Sequence, residues 1–188
     1  AFASDNIVEL LGEGIDFLSF AAVSNDMVVL VTATNVYVGT PIPVDPRDPL
    51  SYTGTVNITS QNLEGIQTGT GDDLFIFEDG AQLAGGNGRF DGNTGNDTID
   101  YSLYTTPVSV DLDAGTATGL TAIEQDGLSL STIENVIGGS ANDTLNGDEN
   151  VNTIVGNAGN DTIDARANDD TIVGGLGDDN ITGGAGTD

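Results

Sequence analysis

The sequence predicts an all-β protein, a parallel β-roll or β-solenoid with nine-residue repeats at its C-terminal end and longer β-rich coils upstream. Two observations predict this class. A single apolar residue recurs every nine residues from Leu145 to Ile181. Glycine makes up 27 of the 188 residues, about twice its usual share of roughly 7%. Frequent glycine indicates many tight turns, and a fixed short period indicates a solenoid.

The repeat begins at Gly138. In units of nine the chain reads GGSANDTLN, GDENVNTIV, GNAGNDTID, ARANDDTIV, GGLGDDNIT and the partial unit GGAGTD. The sixth position holds an acid or its amide: Asp143, Asn152, Asp161, Asp170, Asp179 and Asp188. The eighth position is apolar: Leu145, Ile154, Ile163, Ile172 and Ile181. The chain stops in the middle of the pattern, so we expect the repeats to continue in a longer protein.

Each unit divides into a turn of about six residues and a strand of about three, in which side chains alternate out, in and out. Only the eighth position need point inward, which explains one apolar residue per unit. Glycine, Asn and Asp suit the turn because they tolerate the left-handed backbone region. Two units then form one flattened coil of 18 residues, and the inward side chains of stacked coils form a ladder.

The six consecutive units resemble the hemolysin-type calcium-binding family, also called RTX. The resemblance covers Gly138–Asp188, with single matching units upstream. It implies that Ca2+ is the cofactor and that each ion lies between stacked turns on the same side, held by turn carbonyls and the position-6 carboxylate. The chemistry is suitable, because Ca2+ takes about 6 to 8 oxygen ligands.

The resemblance assigns metal-binding roles to position-6 carboxylates and to residues of the turns. In the repeats these are Asp143, Asp161, Asp179, Asp170, Asp188, Gly138, Ser140, Asn142, Gly156, Ala158, Asn160, Gly174, Leu176 and Asp178. In the matching units upstream they are Asp73, Asp97 and Asp16. The alternative is that the acidic and amide residues only form turns, without an ion.

The two sides of an 18-residue coil differ in composition. One side carries Asp143, Asp161 and Asp179 at position 6, and the other carries Asn152, Asp170 and Asp188. Position 4 is small on the first side (Ala141, Gly159, Gly177), whereas the second side has Asn150 and Asn168 there. We therefore expect the first side to bind calcium better.

A longer, diverged repeat precedes the short one. The segment Gly12–Phe20 is similar to Thr94–Tyr101, and each is followed by a β-rich run. Both copies also close alike, at Asn62–Phe77 and at Thr132–Gly147. We therefore divide the chain into a first β-solenoid module with a proline-rich loop at 39–52, a second module, and the nonapeptide β-roll, with bounds 1–77, 78–137 and 138–188.

The charge of the chain restricts its partners. It has 30 acidic residues against three arginines, no lysine, and a net charge of −27. Nucleic acid and anionic membrane surfaces would be repelled, and an external cation is needed to neutralise the carboxylates. No apolar run approaches the roughly 20 residues of a membrane-spanning helix, so we expect no membrane insertion.

Catalysis is not expected. The chain has no histidine, lysine or cysteine, which removes the usual nucleophiles and bases of hydrolases. Paired carboxylates can serve a glycosidase, but 30 acidic residues make some close pair inevitable, so that pattern is not informative.

The combined pattern predicts a calcium-binding structural segment of a large secreted bacterial surface-layer, matrix-filament or adhesin protein, which folds and becomes rigid on extracellular Ca2+. The alternatives are the C-terminal calcium-dependent secretion or folding domain of a type I-exported enzyme or toxin, and a carbohydrate-binding accessory module. The expected location is extracellular or at the bacterial cell surface, after type I secretion. Candidate partners besides calcium are copies of the chain itself and extracellular polysaccharide.

Overall fold

The computed structural model describes residues 7–8, 17–20, 23–32, 35–41, 52–59, 65–81, 89–120 and 132–188. Within these ranges the chain forms β-strands and no α-helix, and no helix there is long and apolar enough to span a bilayer. The predicted all-β class is confirmed.

The strands are short, and most of them pair in parallel. In chain order they are β1 (Ile7–Val8), β2 (Phe17–Ser19), β3 (Val28–Val31), β4 (Asn35–Pro41), β5 (Tyr52–Thr59), β6 (Gly65–Gln67), β7 (Leu74–Glu78), β8 (Arg89–Asp91), β9 (Thr98–Leu103), β10 (Ser109–Asp111), β11 (Thr116–Ala117), β12 (Asn135–Ile137), β13 (Thr144–Asn146), β14 (Thr153–Ala158), β15 (Thr162–Asp164), β16 (Thr171–Leu176) and β17 (Asn180–Thr182).

The nine-residue units pair with the unit two places further on. β13 pairs in parallel with β15, which sets Leu145 beside Ile163, and β15 pairs with β17, which sets Ile163 beside Ile181. β14 and β16 pair with the same offset. The predicted coil of 18 residues is therefore confirmed.

The repeats extend a sheet that begins far upstream. The largest sheet has eight strands in the order β16-β14-β12-β9-β7-β3-β4-β5. The chain alternates between this sheet and two others, of four strands (β1-β2-β6-β8) and five strands (β11-β10-β13-β15-β17). Strands from all three predicted segments share the largest sheet, and β7 itself crosses the predicted boundary at residue 77.

The two upstream modules close in the same way. In the first, β2 pairs in parallel with β6, and β3 with β7. In the second, β9 pairs in parallel with β12, and β10 with β13. The opening and closing segments that resemble each other in sequence are thus neighbouring coils, and the extra residues between them lie outside the parallel stack.

The proline-rich segment connects two antiparallel strands. β3 pairs with β4, and β4 pairs with β5. β4 continues to Pro41 and β5 begins at Tyr52, so both ends of the predicted loop 39–52 belong to strands. The strand accommodates Pro41 because its register shifts after Val38, and such irregularities tolerate a missing backbone donor. Residues 42–51 lie outside the described part of the chain.

The position-8 residues form the predicted apolar ladder. Leu145, Ile154 and Ile163 are fully buried, and Ile172 is partly buried against the same core. Ile181 is 46% exposed because it lies on β17, the outermost strand of its sheet.

Upstream of the repeats the core is wider and aromatic. Phe75, Phe77, Phe90 and Tyr101 are buried. Phe90 meets Phe75 edge to face with ring centroids 4.9 Å apart, and Phe77 stacks on Tyr101 at 5.0 Å. Aromatic pairs add about 0.5–1.5 kcal/mol beyond the area they bury. The upstream coils therefore have more apolar stabilisation than the repeats, whose core receives one aliphatic side chain per unit.

Replacement of Ile163 by Ala should destabilise the folded chain by about 2–4 kcal/mol, because it leaves a cavity in the ladder. The matched control is Ile181→Ala, which changes the same repeat position where the side chain is half exposed, and which should cost about 1 kcal/mol or less. Chemical unfolding followed by circular dichroism measures both. Equal losses would contradict the inward ladder.

Candidate metal centre

Each repeat places a six-residue turn before a three-residue strand. The turns on one side of the roll, called here the first side, precede β13, β15 and β17 and span residues 138–143, 156–161 and 174–179. The turns on the second side span residues 147–152, 165–170 and 183–188. Because coils repeat every 18 residues, turns of the same side lie above one another.

A ladder of carboxylates runs along the first side. Asp143 Oδ1 accepts a hydrogen bond from the Val108 N–H at 2.9 Å. The Asp143 N–H in turn donates to Asp161 Oδ1 at 2.8 Å, and the Asp161 N–H donates to Asp179 Oδ1 at 2.9 Å. Asp143 and Asp161 are almost completely buried. One oxygen of each carboxylate therefore holds the preceding coil in register.

The second carboxylate oxygen lies beside the first glycine of its turn. Asp161 Oδ2 is buried and has no hydrogen-bond partner within the described residues. A Cβ on Gly156 would lie 2.3 Å from this oxygen and 2.5 Å from the Gly174 carbonyl oxygen in the next coil. At Gly138 the same two distances are 2.6 Å to Asp143 Oδ2 and 2.8 Å to the Gly156 carbonyl oxygen. A carboxylate and a carbonyl of neighbouring coils thus converge where glycine leaves space.

This arrangement suits a calcium ion. Ca2+ binds carboxylate and backbone carbonyl oxygens together, and a buried carboxylate oxygen without a partner is costly. In the part of the chain that the structure describes, no three acidic, histidine or cysteine side chains cluster as a metal site. That agrees with sites that take one carboxylate per turn and their other ligands from the backbone.

The position-5 side chains form an outer ladder of their own. Asn142 Oδ1 accepts from the Asn160 N–H at 2.8 Å, and Asn160 Oδ1 accepts from the Asp178 N–H at 2.9 Å. Because these side-chain oxygens already bind the backbone, Asn142 and Asn160 would serve a metal through their carbonyl oxygens.

The other first-side predictions also depend on backbone oxygens. The Ser140 hydroxyl donates to the Tyr104 carbonyl at 3.2 Å. Ala158 and Leu176 are register partners in β14 and β16, and their side chains carry no ligand atom. Gly138, Gly156 and Gly174 likewise can contribute carbonyl oxygens only. All of these assignments stay predictions.

The second side has a similar but interrupted ladder. The Asn152 N–H donates to Asp170 Oδ1 at 2.8 Å, and the Asp170 N–H donates to Asp188 Oδ1 at 3.0 Å. Asp170 Oδ2 is buried without a partner among the described residues. The first residue of its turn is Ala165 in place of glycine, so a methyl group occupies the position that is open at Gly156.

Asp148, which the sequence did not single out, fills the turn around Asn152. It is 6% exposed, and its carboxylate accepts from the Asn150 N–H at 2.8 Å and from the Asn152 amide at 3.2 Å. Asn152 Oδ1 accepts from the Asp148 N–H at 2.9 Å. The available signal was an acid two residues before Asn150, because Asp side chains commonly bind the backbone two residues on. This turn satisfies its oxygens internally.

An upstream ladder contains two of the predicted ligands. The Met27 N–H donates to Asp73 Oδ1, and the Asp73 N–H donates to Asp97 Oδ1, each at 2.7 Å. The Asp97 N–H donates to Glu134 Oε2, also at 2.7 Å. Glu134 was not predicted as a site residue, although it stands 18 residues before a position-6 residue. The third upstream prediction, Asp16, lies outside the described residues.

Burial makes these carboxylates difficult to ionise without a cation. It raises the pKa of Asp143, Asp161 and Asp170 above the ordinary range. Burial also raises the pKa of Asp97, to about 7, and the charges of Asp73 and neighbouring acids act in the same direction. A bound cation would oppose both effects, so the ladders favour cation binding electrostatically.

The comparison with protein families agrees with this geometry. Residues 131–163 and 164–188 match the model of the RTX calcium-binding nonapeptide repeat, which describes four copies. No curated protein matches the chain. Over residues 131–188 the chain is therefore an RTX-type calcium-binding repeat protein, and the repeats bind Ca2+. The predicted family resemblance, β-roll class and cofactor are confirmed.

Substitution on the two sides should have unequal effects. Asp161→Ala should remove more of the calcium-induced β-structure than Asn152→Ala, because Asp161 supplies a free buried oxygen whereas Asn152 is bound within its own turn. Circular dichroism during calcium titration measures both variants. Equal losses would contradict the stronger first side.

Proposed function

We propose that the chain is a calcium-dependent structural segment of a large secreted bacterial protein, such as a surface layer, a matrix filament or an adhesin, and that it has no catalytic role. The observation that carries the proposal is the pair of carboxylate ladders. In each ladder one oxygen fixes the coil register, and buried second oxygens such as those of Asp161 and Asp170 remain unpaired.

Calcium supply then decides whether the repeats fold. The chain carries a net charge of −27, and its self-repulsion favours an expanded state. Extracellular calcium modules bind with Kd on the order of 10⁻⁴ to 10⁻³ M, so low cytosolic calcium leaves the repeats unfolded and suited to export. Each site would add about 2.7 kcal/mol of stability when calcium is about 100 times its Kd.

The continuous sheet supports a structural role in particular. The repeats add strands to the eight-stranded sheet that begins at β3 and includes β7 and β9. Each coil of such a stack contacts mainly its neighbours, so the stack is an elongated rod. A secretion tail appended to an enzyme would be expected to form a sheet of its own.

The expected location follows from the same chemistry. RTX repeats are typical of type I secreted extracellular proteins, and millimolar calcium is met outside the cell. Self-association and polysaccharide binding belong to this proposal as candidate partnerships, because a surface or matrix protein has to contact copies of itself or the surrounding glycan.

Calcium should switch the secondary structure of the isolated chain. In chelator we expect a circular dichroism spectrum with mostly coil, and in millimolar calcium a β-spectrum. Hydrogen exchange in chelator should leave residues 162–182 unprotected, whereas residues 74–78 beside the aromatic core should keep more protection. Identical β-spectra in both conditions would contradict calcium-driven folding.

Electron microscopy tests the structural role. The calcium-loaded native protein, imaged at the cell surface and after release, should form filaments or an ordered lattice that disperse in chelator. Free monomers in both conditions would exclude the surface-layer and filament forms of the proposal.

A further inference from the structure

The turn at residues 92–97 repeats the geometry of the calcium turns outside the nonapeptide repeats. Asp97 is completely buried, and its Oδ2 has no hydrogen-bond partner within the described residues. A Cβ on Gly92 would lie 2.1 Å from Asp97 Oδ2 and 2.6 Å from the Thr132 carbonyl oxygen. The corresponding distances at Gly156 are 2.3 Å and 2.5 Å. The same two kinds of oxygen therefore converge at the same place in the turn.

This turn does not belong to the regular repeat. Gly92 and Asp97 precede residue 131, where the family match begins. The carbonyl that faces Asp97 comes from a residue 35 positions further along (132 − 97), whereas neighbouring turns of the repeats are 18 residues apart. No nine-residue pattern connects the two halves of this arrangement.

Glu134 brings a further carboxylate to the same turn. Its Oε2 accepts from the Asp97 N–H at 2.7 Å, and the Glu134 N–H donates back to the Asp97 carbonyl at 3.1 Å. The Thr132 hydroxyl accepts from the Gly92 N–H at 3.0 Å. The chain that returns after the 98–132 excursion is therefore attached to turn 92–97 through both backbone and side chains.

The preceding turn differs at one residue and provides a comparison. Asp73 lies in the same ladder as Asp97, but the residue five positions earlier is Thr68 in place of glycine. Thr68 is fully buried, and its hydroxyl lies 3.4 Å from the carbonyl oxygens of Asp91 and Gly92. Burial raises the pKa of Asp73, and the Thr68 hydroxyl partly offsets this. A hydroxyl thus occupies the space that is open beside Asp97.

We propose that Asp97 Oδ2 and the Thr132 carbonyl, with Glu134 beside them, bind a calcium ion at the junction between the upstream coils and the repeats. The ion fastens the returning chain at Thr132 to turn 92–97, and so fixes the register in which β12 joins β9. The site rests on the proposed function, since it uses the same calcium that folds the repeats, and it narrows the upstream prediction from both Asp73 and Asp97 to Asp97.

Native mass spectrometry of the full chain in calcium chloride tests the site by counting bound ions. Asp97→Asn should bind one calcium ion fewer than the unmodified chain, because the amide keeps the hydrogen bond from Asp73 but removes the charged oxygen. Asp73→Asn is the matched control, with the same charge change in the same ladder, and should bind the original number.

Unchanged stoichiometry in Asp97→Asn, or the loss of one ion in both variants, would overturn the site. Should Asp97→Asn fail to fold, crystals of the unmodified chain grown with calcium decide. An anomalous-scattering peak between Asp97 and Thr132, with none beside Asp73, supports the site. Peaks beside Asp161 but none beside Asp97 would overturn the site and leave the proposed function intact, whereas no peak at either place would overturn both.

Discussion

The structure depends on a hydrogen bond from the backbone of one coil to a carboxylate of the next. In the repeats the N–H of each position-6 residue donates to the position-6 carboxylate 18 residues further on, as between Asp143 and Asp161. The bond has a charged acceptor and is buried, which makes it stronger than a neutral hydrogen bond. It also fixes the register, because a shift of one residue would remove both the acceptor and the inward apolar side chain.

The same bond explains the need for calcium. It occupies one oxygen of each carboxylate and leaves the other in a buried space where no water-like partner is available. Stacking more coils therefore accumulates buried negative charge, and the chain has only three arginines to balance it. One of them, Arg166, already binds Asp111 and Asp113. An external divalent cation resolves this conflict within the stack.

Stability is unevenly distributed along the molecule as a result. The upstream coils bury an aromatic cluster that includes Phe77 and Tyr101, whereas the repeats bury one aliphatic residue per unit. Hydrophobic burial is independent of calcium, but the ladders are not. The upstream part can therefore act as a base on which the repeats order when calcium becomes available, and the junction at Asp97 is the place where these two kinds of stabilisation meet.

The sequence by itself determined the coil length, the inward position and the family, because each depends on a strict local period that a strand and a turn impose on every unit. It also placed Asp73 and Asp97 in matching turns. Only the tertiary structure decided that Glu134 and Asp148 take part, which carboxylate oxygen stays free, and that all segments share one sheet. Asp73 and Asp97 are 24 residues apart, and Asp97 and Glu134 are 37 apart. These unequal spacings become neighbours only through strand pairing, which no local pattern encodes.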